Sequence, residues 1–240
     1  MSSVLTDLQP TTRGQGRVAA RGRGILGAVS TQPSPPRSAD QPVVRGLVLV
    51  AAMAAVMWIV EIADQIDNGR LERHGIVPRS TDGLEGVAFA PFLHAGWDHL
   101  IGNTLPFLVL GAAIALGGAA RVALVTVIVA VVGGFGTWLV APADTVHIGA
   151  SGLVFGFAAY LIARGFFSGR FVQIGVGLVV VAIWGATLLN GLAPADGISW
   201  QGHLFGAVGG VLAAWVLDRR RPTRTPAPPD PFATSLSRGL

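Results

Sequence analysis

Six long apolar stretches constrain the fold of this 240-residue chain more than any other feature. One helix needs ~20 mostly apolar residues to cross a bilayer core about 30 Å thick. In lipid the backbone must satisfy its own hydrogen bonds, and a helix does so within one segment. The sequence therefore predicts an all-α membrane protein whose six spans lie at roughly 46–63, 99–118, 122–140, 148–163, 171–190 and 200–217.

Composition agrees with a membrane protein and excludes several kinds of chemistry. Of the residues, 51% are hydrophobic and only 12% are charged, a balance typical of integral membrane proteins. The chain has no cysteine, so disulfides, thiolate metal sites and cysteine nucleophiles are excluded. Any catalytic chemistry must then come from Ser, His, Asn or carboxylates.

The positions of the arginines predict the orientation of the bundle. All 17 basic residues are arginine, and 14 of them lie in the N-terminal arm, in two short connections and after the last span. The other three lie in the segment 64–98. Because cytoplasmic segments carry the excess of arginine, both termini are predicted to be cytoplasmic and the protein to lie in the plasma membrane. The net charge of +4 then reflects topology, and nucleic-acid binding is not expected.

The two ends of the chain differ in composition from the spans. Residues 1–45 and 219–240 are rich in Arg, Pro, Gly and Ser without a periodic apolar face, so both are predicted to be disordered cytoplasmic tails. The folded six-span domain is placed at 46–218. Within it, the segment 64–98 is the one long external loop. Its stretch GLEGVAFAPFLHAGW is apolar enough to lie partly at the membrane interface.

Three of the spans carry unusual polar residues near their outer ends. A rise of 1.5 Å per residue places Ser151 about 10 Å, His203 about 8 Å and Asn103 about 6 Å below the outer surface. His99 lies four residues before Asn103, on the same face of its helix. Because the side chains share one layer, we expect them to form one site.

Glycines at intervals of four predict a close crossing of the fourth and sixth spans. Small residues at this spacing let two helix backbones approach closely. Such a crossing would bring the imidazole of His203 to the hydroxyl of Ser151. The glycines are Gly152, Gly156, Gly202, Gly206 and Gly210.

The motifs HAGWDHLIGN, GASG and GHLFG occur in this order along the chain, and together they resemble the rhomboid intramembrane serine proteases of the bacterial six-span type. The resemblance covers about residues 46–218. It implies that Ser151 is the nucleophile, His203 the general base, and Asn103 with His99 the oxyanion-binding side chains. The supporting residues of this set would be Gly149, Gly152, Phe155, Gly202 and Gly206.

The chemistry of these residue types agrees with the resemblance. A serine hydroxyl becomes a good nucleophile when an adjacent neutral imidazole takes its proton. The oxyanion that forms needs donors already aimed at it, and the side chains of Asn103 and His99 and the backbone N–H of Ser151 can supply them. By this topology the nearest carboxylates are interfacial, which predicts a Ser-His dyad rather than a triad. These carboxylates are Asp98, Asp144 and Asp196.

The expected function is therefore a serine endopeptidase that cleaves transmembrane segments of single-span or other membrane proteins near the outer leaflet. It would work within the lipid bilayer, without a cofactor or a metal. Two departures from the family pattern stand out. Glu85 and Gly86 replace a frequent Trp-Arg pair, which leaves open how the external loop is anchored. Phe155 replaces a frequent Tyr, so it can stack on His203 but cannot hydrogen-bond through a phenol.

Three other functions remain open. A non-catalytic rhomboid-like protein would bind membrane segments without cutting them, although such proteins usually lack the serine or the histidine. A small transporter or channel would be expected to carry an embedded carboxylate or charge pair, and none is apparent. A metal site is the third alternative, but its candidate ligands are poorly spaced. They are His94, His99, His147 and His203.

Overall fold

The computed structural model describes residues 41–195 and 197–219, and these residues form a helical bundle. Six of the helices are long and apolar enough to cross a membrane, which confirms the predicted all-α, six-span fold. The exception is the short helix α2. The helices are α1 (Gln41–Ile66), α2 (Gly86–Phe89), α3 (Trp97–Ala115), α4 (Ala119–Val140), α5 (Ser151–Ser168), α6 (Phe171–Gly191) and α7 (Trp200–Asp218).

Two helix boundaries differ from the predicted ones for identifiable reasons. Helix α1 begins at Gln41, inside the predicted arm 1–45, because Pro42 in the first turn needs no hydrogen-bond acceptor and has a helical φ. Helix α5 begins at Ser151 rather than at 148, since Gly149 has a φ of 113°, which no helix accommodates. Residues 1–40 and 220–240 of the predicted tails 1–45 and 219–240, together with Asp196, lie outside the described residues.

Helices α5 and α7 cross closely at the centre of the bundle. A Cβ atom at Gly206 would overlap the carbonyl oxygen of Gly152, and one at Gly210 would overlap that of Gly156. Only glycine lets the two backbones approach this far. The close crossing predicted from the glycine spacing is therefore present. Helix α6, by contrast, packs extensively only on α5 and buries little more than Gly177 and Val180.

A buried ionic cluster joins α4, α5 and α7 at the Asp218 end of the bundle. Arg121 Nη1 lies 2.8 and 2.7 Å from the two carboxylate oxygens of Asp218, and Arg164 Nε donates to the same group at 3.1 Å. The Tyr160 hydroxyl also donates to it, at 2.8 Å. The Asp218 side chain is only 7% exposed, so this cluster is shielded from water. Two arginines that predicted the orientation therefore also hold the helices together.

We predict that Asp218→Asn lowers the free energy of unfolding by about 3 kcal/mol. The substitution conserves volume but leaves two partly buried guanidinium groups without their counter-charge. Thermal unfolding in detergent micelles measures the effect. Asp144→Asn is the matched control because Asp144 is an exposed loop carboxylate. If both variants unfold at the wild-type temperature, the cluster contributes no stability.

The connection between α1 and α3 has contacts of its own at Glu85 and Gly86. Glu85 Oε1 accepts a hydrogen bond from His74 Nδ1 at 2.5 Å. A Cβ atom at Gly86 would overlap the backbone of Gly75, so this glycine packs directly against another part of the loop. Glu85 and Gly86 therefore each make a contact within this loop.

Candidate active site

A cleft of about 850 Å³, lined by both polar and apolar side chains, opens at the end of the bundle where α3, α5 and α7 begin. Helix α5 supplies Ser151 as its first residue, and α7 supplies His203 from its first turn. Helix α3 supplies His99 and Asn103 from one face. All four predicted site residues line this single cleft. Asn103 and His203 are each only 8% exposed, whereas Ser151 is half-buried.

The segment before Ser151 is fixed by its backbone amides. The Gly149 N–H donates to the carbonyl of Ala90 at 2.8 Å. The Ala150 N–H donates to His94 Nε2 at 3.3 Å. The next amide belongs to Ser151 at the first position of α5, where a helix offers no acceptor of its own. This N–H therefore lies beside the serine hydroxyl as a possible donor to a bound group.

The imidazole of His203 is held by a backbone carbonyl and by an aromatic ring. Its Nδ1 lies 2.7 Å from the carbonyl oxygen of Gly191. Because a carbonyl can only accept, this partner assigns the proton to Nδ1 and leaves the lone pair on Nε2. The ring also stacks on Phe155, with centroids 4.1 Å apart and planes 3° from parallel. The stacking that the sequence suggested for Phe155 is present.

The imidazole of His99 has the opposite tautomer. Its Nδ1 accepts a hydrogen bond from the Ala95 N–H at 3.3 Å, which assigns the proton to Nε2 and makes that atom a donor. Asn103 Nδ2 donates to the carbonyl of His99 at 3.0 Å and keeps a second N–H. A Cβ atom at Gly149 would lie 2.6 Å from the His99 ring and 3.8 Å from Asn103 Nδ2. The His99 ring and Asn103 Nδ2 therefore both lie close to the backbone of Gly149, two residues before Ser151.

The hydrogen bonds of the described residues do not include one between Ser151 and His203. Catalytic hydrogen bonds are often long or poorly aligned until substrate binds. The helix turns that carry the two side chains are in contact, since a Cβ atom at Gly152 would lie 3.3 Å from the carbonyl oxygen of Gly202. The hydroxyl and the imidazole thus share one cleft on closely packed turns.

Comparison with known proteins identifies the family. A family model described as the Rhomboid domain matches residues 83–220, more than half of the chain and all of the site residues above. This chain belongs to the rhomboid family. Helix α1 precedes the matched range, whereas α3 to α7 lie within it.

Relatives of this rhomboid occur in bacteria. It is 46% identical over 178 residues to the uncharacterized protein Rv1337 of Mycobacterium tuberculosis, covering 70% of this chain and 73% of that protein. The uncharacterized protein ML1171 of Mycobacterium leprae is 44% identical over 183 residues, with 72% and 71% covered. The "Putative rhomboid protease YdcA" of Bacillus subtilis is 31% identical over 134 residues, with 55% and 66% covered.

His94 supports the site of this rhomboid from behind. Its ring is 1% exposed and packs edge-on against that of His99, with centroids 5.1 Å apart. Burial, and then the neighbouring His99, lower the pKa of His94 to about 4. The ring is therefore neutral near pH 7, as it must be to accept the hydrogen bond from Ala150.

We predict that the stability of the protein decreases as the pH is lowered from about 6.5 to 4. In this range the unfolded chain binds a proton at His94, whereas the buried ring of the folded protein stays neutral. A pKa of about 4 against an ordinary 6.5 corresponds to about 3 kcal/mol. This contribution is complete above the ordinary pKa and is lost as the pH falls to the folded pKa. His94→Gln keeps an acceptor but does not titrate. Thermal unfolding at pH 7 and pH 4.5 should show a smaller pH effect in the variant, and equal effects would contradict the prediction.

Two buried carboxylates near the end of α1 were not expected from the sequence. Glu61 and Asp64 are 0% and 2% exposed. The loop after α1 folds back over them, and the Leu71 N–H donates to Asp64 Oδ1 at 2.7 Å. The expectation that no span carries an embedded carboxylate was therefore wrong. Neither group lines the cleft, whereas Glu72 does. The pKa of Glu72 is raised first by its burial and then by the charges of Asp64 and Glu61.

Proposed function

We propose that this rhomboid is an intramembrane serine endopeptidase in which Ser151 is the nucleophile and His203 its general base. The observation that carries the proposal is the pair of ring contacts, to the Gly191 carbonyl and to the Ala95 N–H, that assigns opposite tautomers to two imidazoles in one cleft. His203 Nε2 carries a lone pair that can take a proton, and His99 Nε2 carries a proton that can stabilise a negative charge. A serine protease needs both groups beside its nucleophile.

The reaction follows from these roles. As Ser151 Oγ forms a bond to the scissile carbonyl carbon, His203 Nε2 takes the hydroxyl proton. The carbonyl oxygen becomes an oxyanion that accepts hydrogen bonds from Asn103, His99 and the Ser151 backbone N–H. The C–N bond then breaks, and His203 returns the proton to the leaving amine. A water molecule attacks the acyl-serine in the same way, which releases the second product and restores the hydroxyl.

The cleft also meets the need of proteolysis for water. It is open at the Ser151 end of the bundle and carries polar side chains in its lining, so water can reach a site that lies among membrane-spanning helices. We infer that the substrates are single-span or other membrane proteins that enter from the bilayer. A scissile bond must leave its helix before attack, so residues that weaken a helix should favour cleavage.

The orientation is part of the proposal. The arginine distribution supports cytoplasmic termini in the plasma membrane and a Ser151 end that faces outside, so cleavage would occur near the outer leaflet. Reporter fusions test this arrangement. A reporter in the segment 64–98 should be external, and one after Asp218 should be cytoplasmic. The reverse pattern would place the cleft on the cytoplasmic side and overturn the assignment.

Cleavage in reconstituted liposomes tests the activity. The purified protein is combined with a single-span substrate that carries a Gly-Ala pair in the part of its span nearest the Ser151 end. We expect two products whose masses place the cut in that part of the span. A matched substrate with Leu-Leu at the same positions should be cut more slowly. A substrate that co-purifies with the protein but stays intact would instead support the non-catalytic alternative.

A further inference from the structure

The imidazole of His147 joins two hydroxyl groups at the edge of the cleft. Its Nδ1 lies 2.7 Å from Ser199 Oγ, and its Nε2 lies 2.8 Å from Thr145 Oγ1. The Thr145 hydroxyl donates to the carbonyl of Pro142 at 2.6 Å. At the other end, Ser199 Oγ accepts a hydrogen bond from the Gly202 N–H at 3.3 Å. Both ring nitrogens of His147 are therefore engaged.

The directions of these hydrogen bonds are determined by their ends. The Thr145 hydroxyl already donates to a carbonyl, so it must accept from His147, and the proton of the ring lies on Nε2. Nδ1 then carries a lone pair and accepts from the hydroxyl of Ser199. Both hydrogen bonds of the ring can form together only when His147 is neutral. Burial, which lowers the pKa of His147, favours the same state.

The hydrogen bonds from Thr145 through His147 to Ser199 connect the two segments that carry the proposed nucleophile and base. Ser199 is the N-cap of α7, and its carbonyl accepts the backbone N–H of His203 at 3.1 Å. His147 lies four residues before Ser151. Its backbone is fixed by an isolated β-bridge to Ile76, with N–O distances of 2.9 and 3.0 Å. One side chain thus joins the segment leading into α5 to the start of α7.

The crossing of α5 and α7 does not by itself fix the position of one helix relative to the other. The two helices meet through glycines, which allow a close approach but provide no interlocking side chains to fix their relative position. A displacement of about 1 Å between reacting groups lowers a catalytic rate by about a hundredfold. A polar contact at the helix start can prevent this displacement.

We propose that His147 is a positioning residue that holds His203 in register with Ser151 through the hydroxyl of Ser199. The inference rests on the proposed roles of Ser151 and His203. It assigns to the pair His147–Ser199 a specific task in that reaction, although neither residue contacts the reacting atoms.

A double-mutant cycle tests the proposal in the liposome cleavage assay. His147→Ala and Ser199→Ala should each lower kcat by about ten- to a hundredfold and change KM by less than about twofold. Because both break the same link, the double variant should be no slower than the slower single variant. Ser80→Ala is the control, since the Ser80 side chain does not line the cleft.

Two conservative variants separate positioning from a merely structural role. His147→Asn keeps a polar atom at the position of Nδ1 and should retain most of kcat. His147→Gln keeps one only at the position of Nε2 and should lose kcat as His147→Ala does. Thermal unfolding shows whether each variant is folded. Equal kcat values for folded Asn and Gln variants, or losses that multiply in the double variant, would overturn the proposal.

Ser151→Ala in the same assay distinguishes failure of the inference from failure of the proposed function. If Ser151→Ala is inactive but His147→Gln cleaves at the wild-type rate, only the positioning role is wrong. If Ser151→Ala remains active and Ser199→Ala is inactive, then His147 and Ser199 are themselves the catalytic pair. That result would overturn both the proposed nucleophile and the positioning role.

Discussion

Replacing Ser151 with alanine is expected to abolish substrate cleavage while leaving the fold intact. Loss of the nucleophile in a serine protease costs about 10⁶ in kcat, which is below detection for most assays. The substitution removes a single oxygen from a half-buried position, so the helix contacts of α5 remain. His203→Ala should have an equally large effect because the hydroxyl and its base act as a unit.

The liposome assay with a single-span substrate measures this prediction. Ser80→Ala is a suitable control because Ser80 lies in the loop between α1 and α3 and does not line the cleft. It should cleave at the wild-type rate. Persistent cleavage by Ser151→Ala, in a preparation free of other proteases, would show that Ser151 is not the nucleophile.

Replacing Asn103 with alanine is expected to lower kcat by about a hundredfold with little change in KM. The loss of one oxyanion donor typically costs ~3 kcal/mol in the transition state and leaves ground-state binding unchanged. Asn103 is suited to this role because one N–H is engaged by the His99 carbonyl and a second remains for the oxyanion. Its Nδ2 also lies near Gly149, two residues before Ser151.

A structural role for Asn103 makes a different prediction. If its main task is a hydrogen bond within the bundle, Asn103→Ala should lower stability by about 1 kcal/mol and affect turnover only modestly. Measuring kcat, KM and thermal unfolding on the same purified variant separates the two roles. A destabilised protein with near-normal turnover would remove Asn103 from the catalytic set.

The sequence predicts the spans and the cleft residues well because both depend on strong physical constraints. A span must be long and apolar, so six of them can be read from composition and length. A polar residue within a span is energetically unfavourable without a partner, so Ser151, Asn103 and His203 stand out against their surroundings. The glycine spacing adds the helix crossing, which the contact of Gly206 with Gly152 confirms.

Several contacts made by the loops cannot be predicted from the sequence. His147 and Ser199 are 52 residues apart, and nothing in their local patterns predicts a contact between them. Glu61 could be taken for a residue at the end of a span, because its burial depends on tertiary packing that the local pattern does not show. The start of α5 depends on the positive φ of Gly149, which follows from its packing against His99. These features are set by tertiary contacts rather than by periodicity.

The identity of the residue that reacts with a fluorophosphonate tests the central claim most directly. Such probes react with a serine hydroxyl that an adjacent base activates. The protein in liposomes is labelled near pH 7, and peptide mass mapping locates the modified side chain. The account predicts one modified residue, Ser151, and no labelling of His203→Ala. Modification of Ser199 instead, or labelling that persists in His203→Ala, would contradict it.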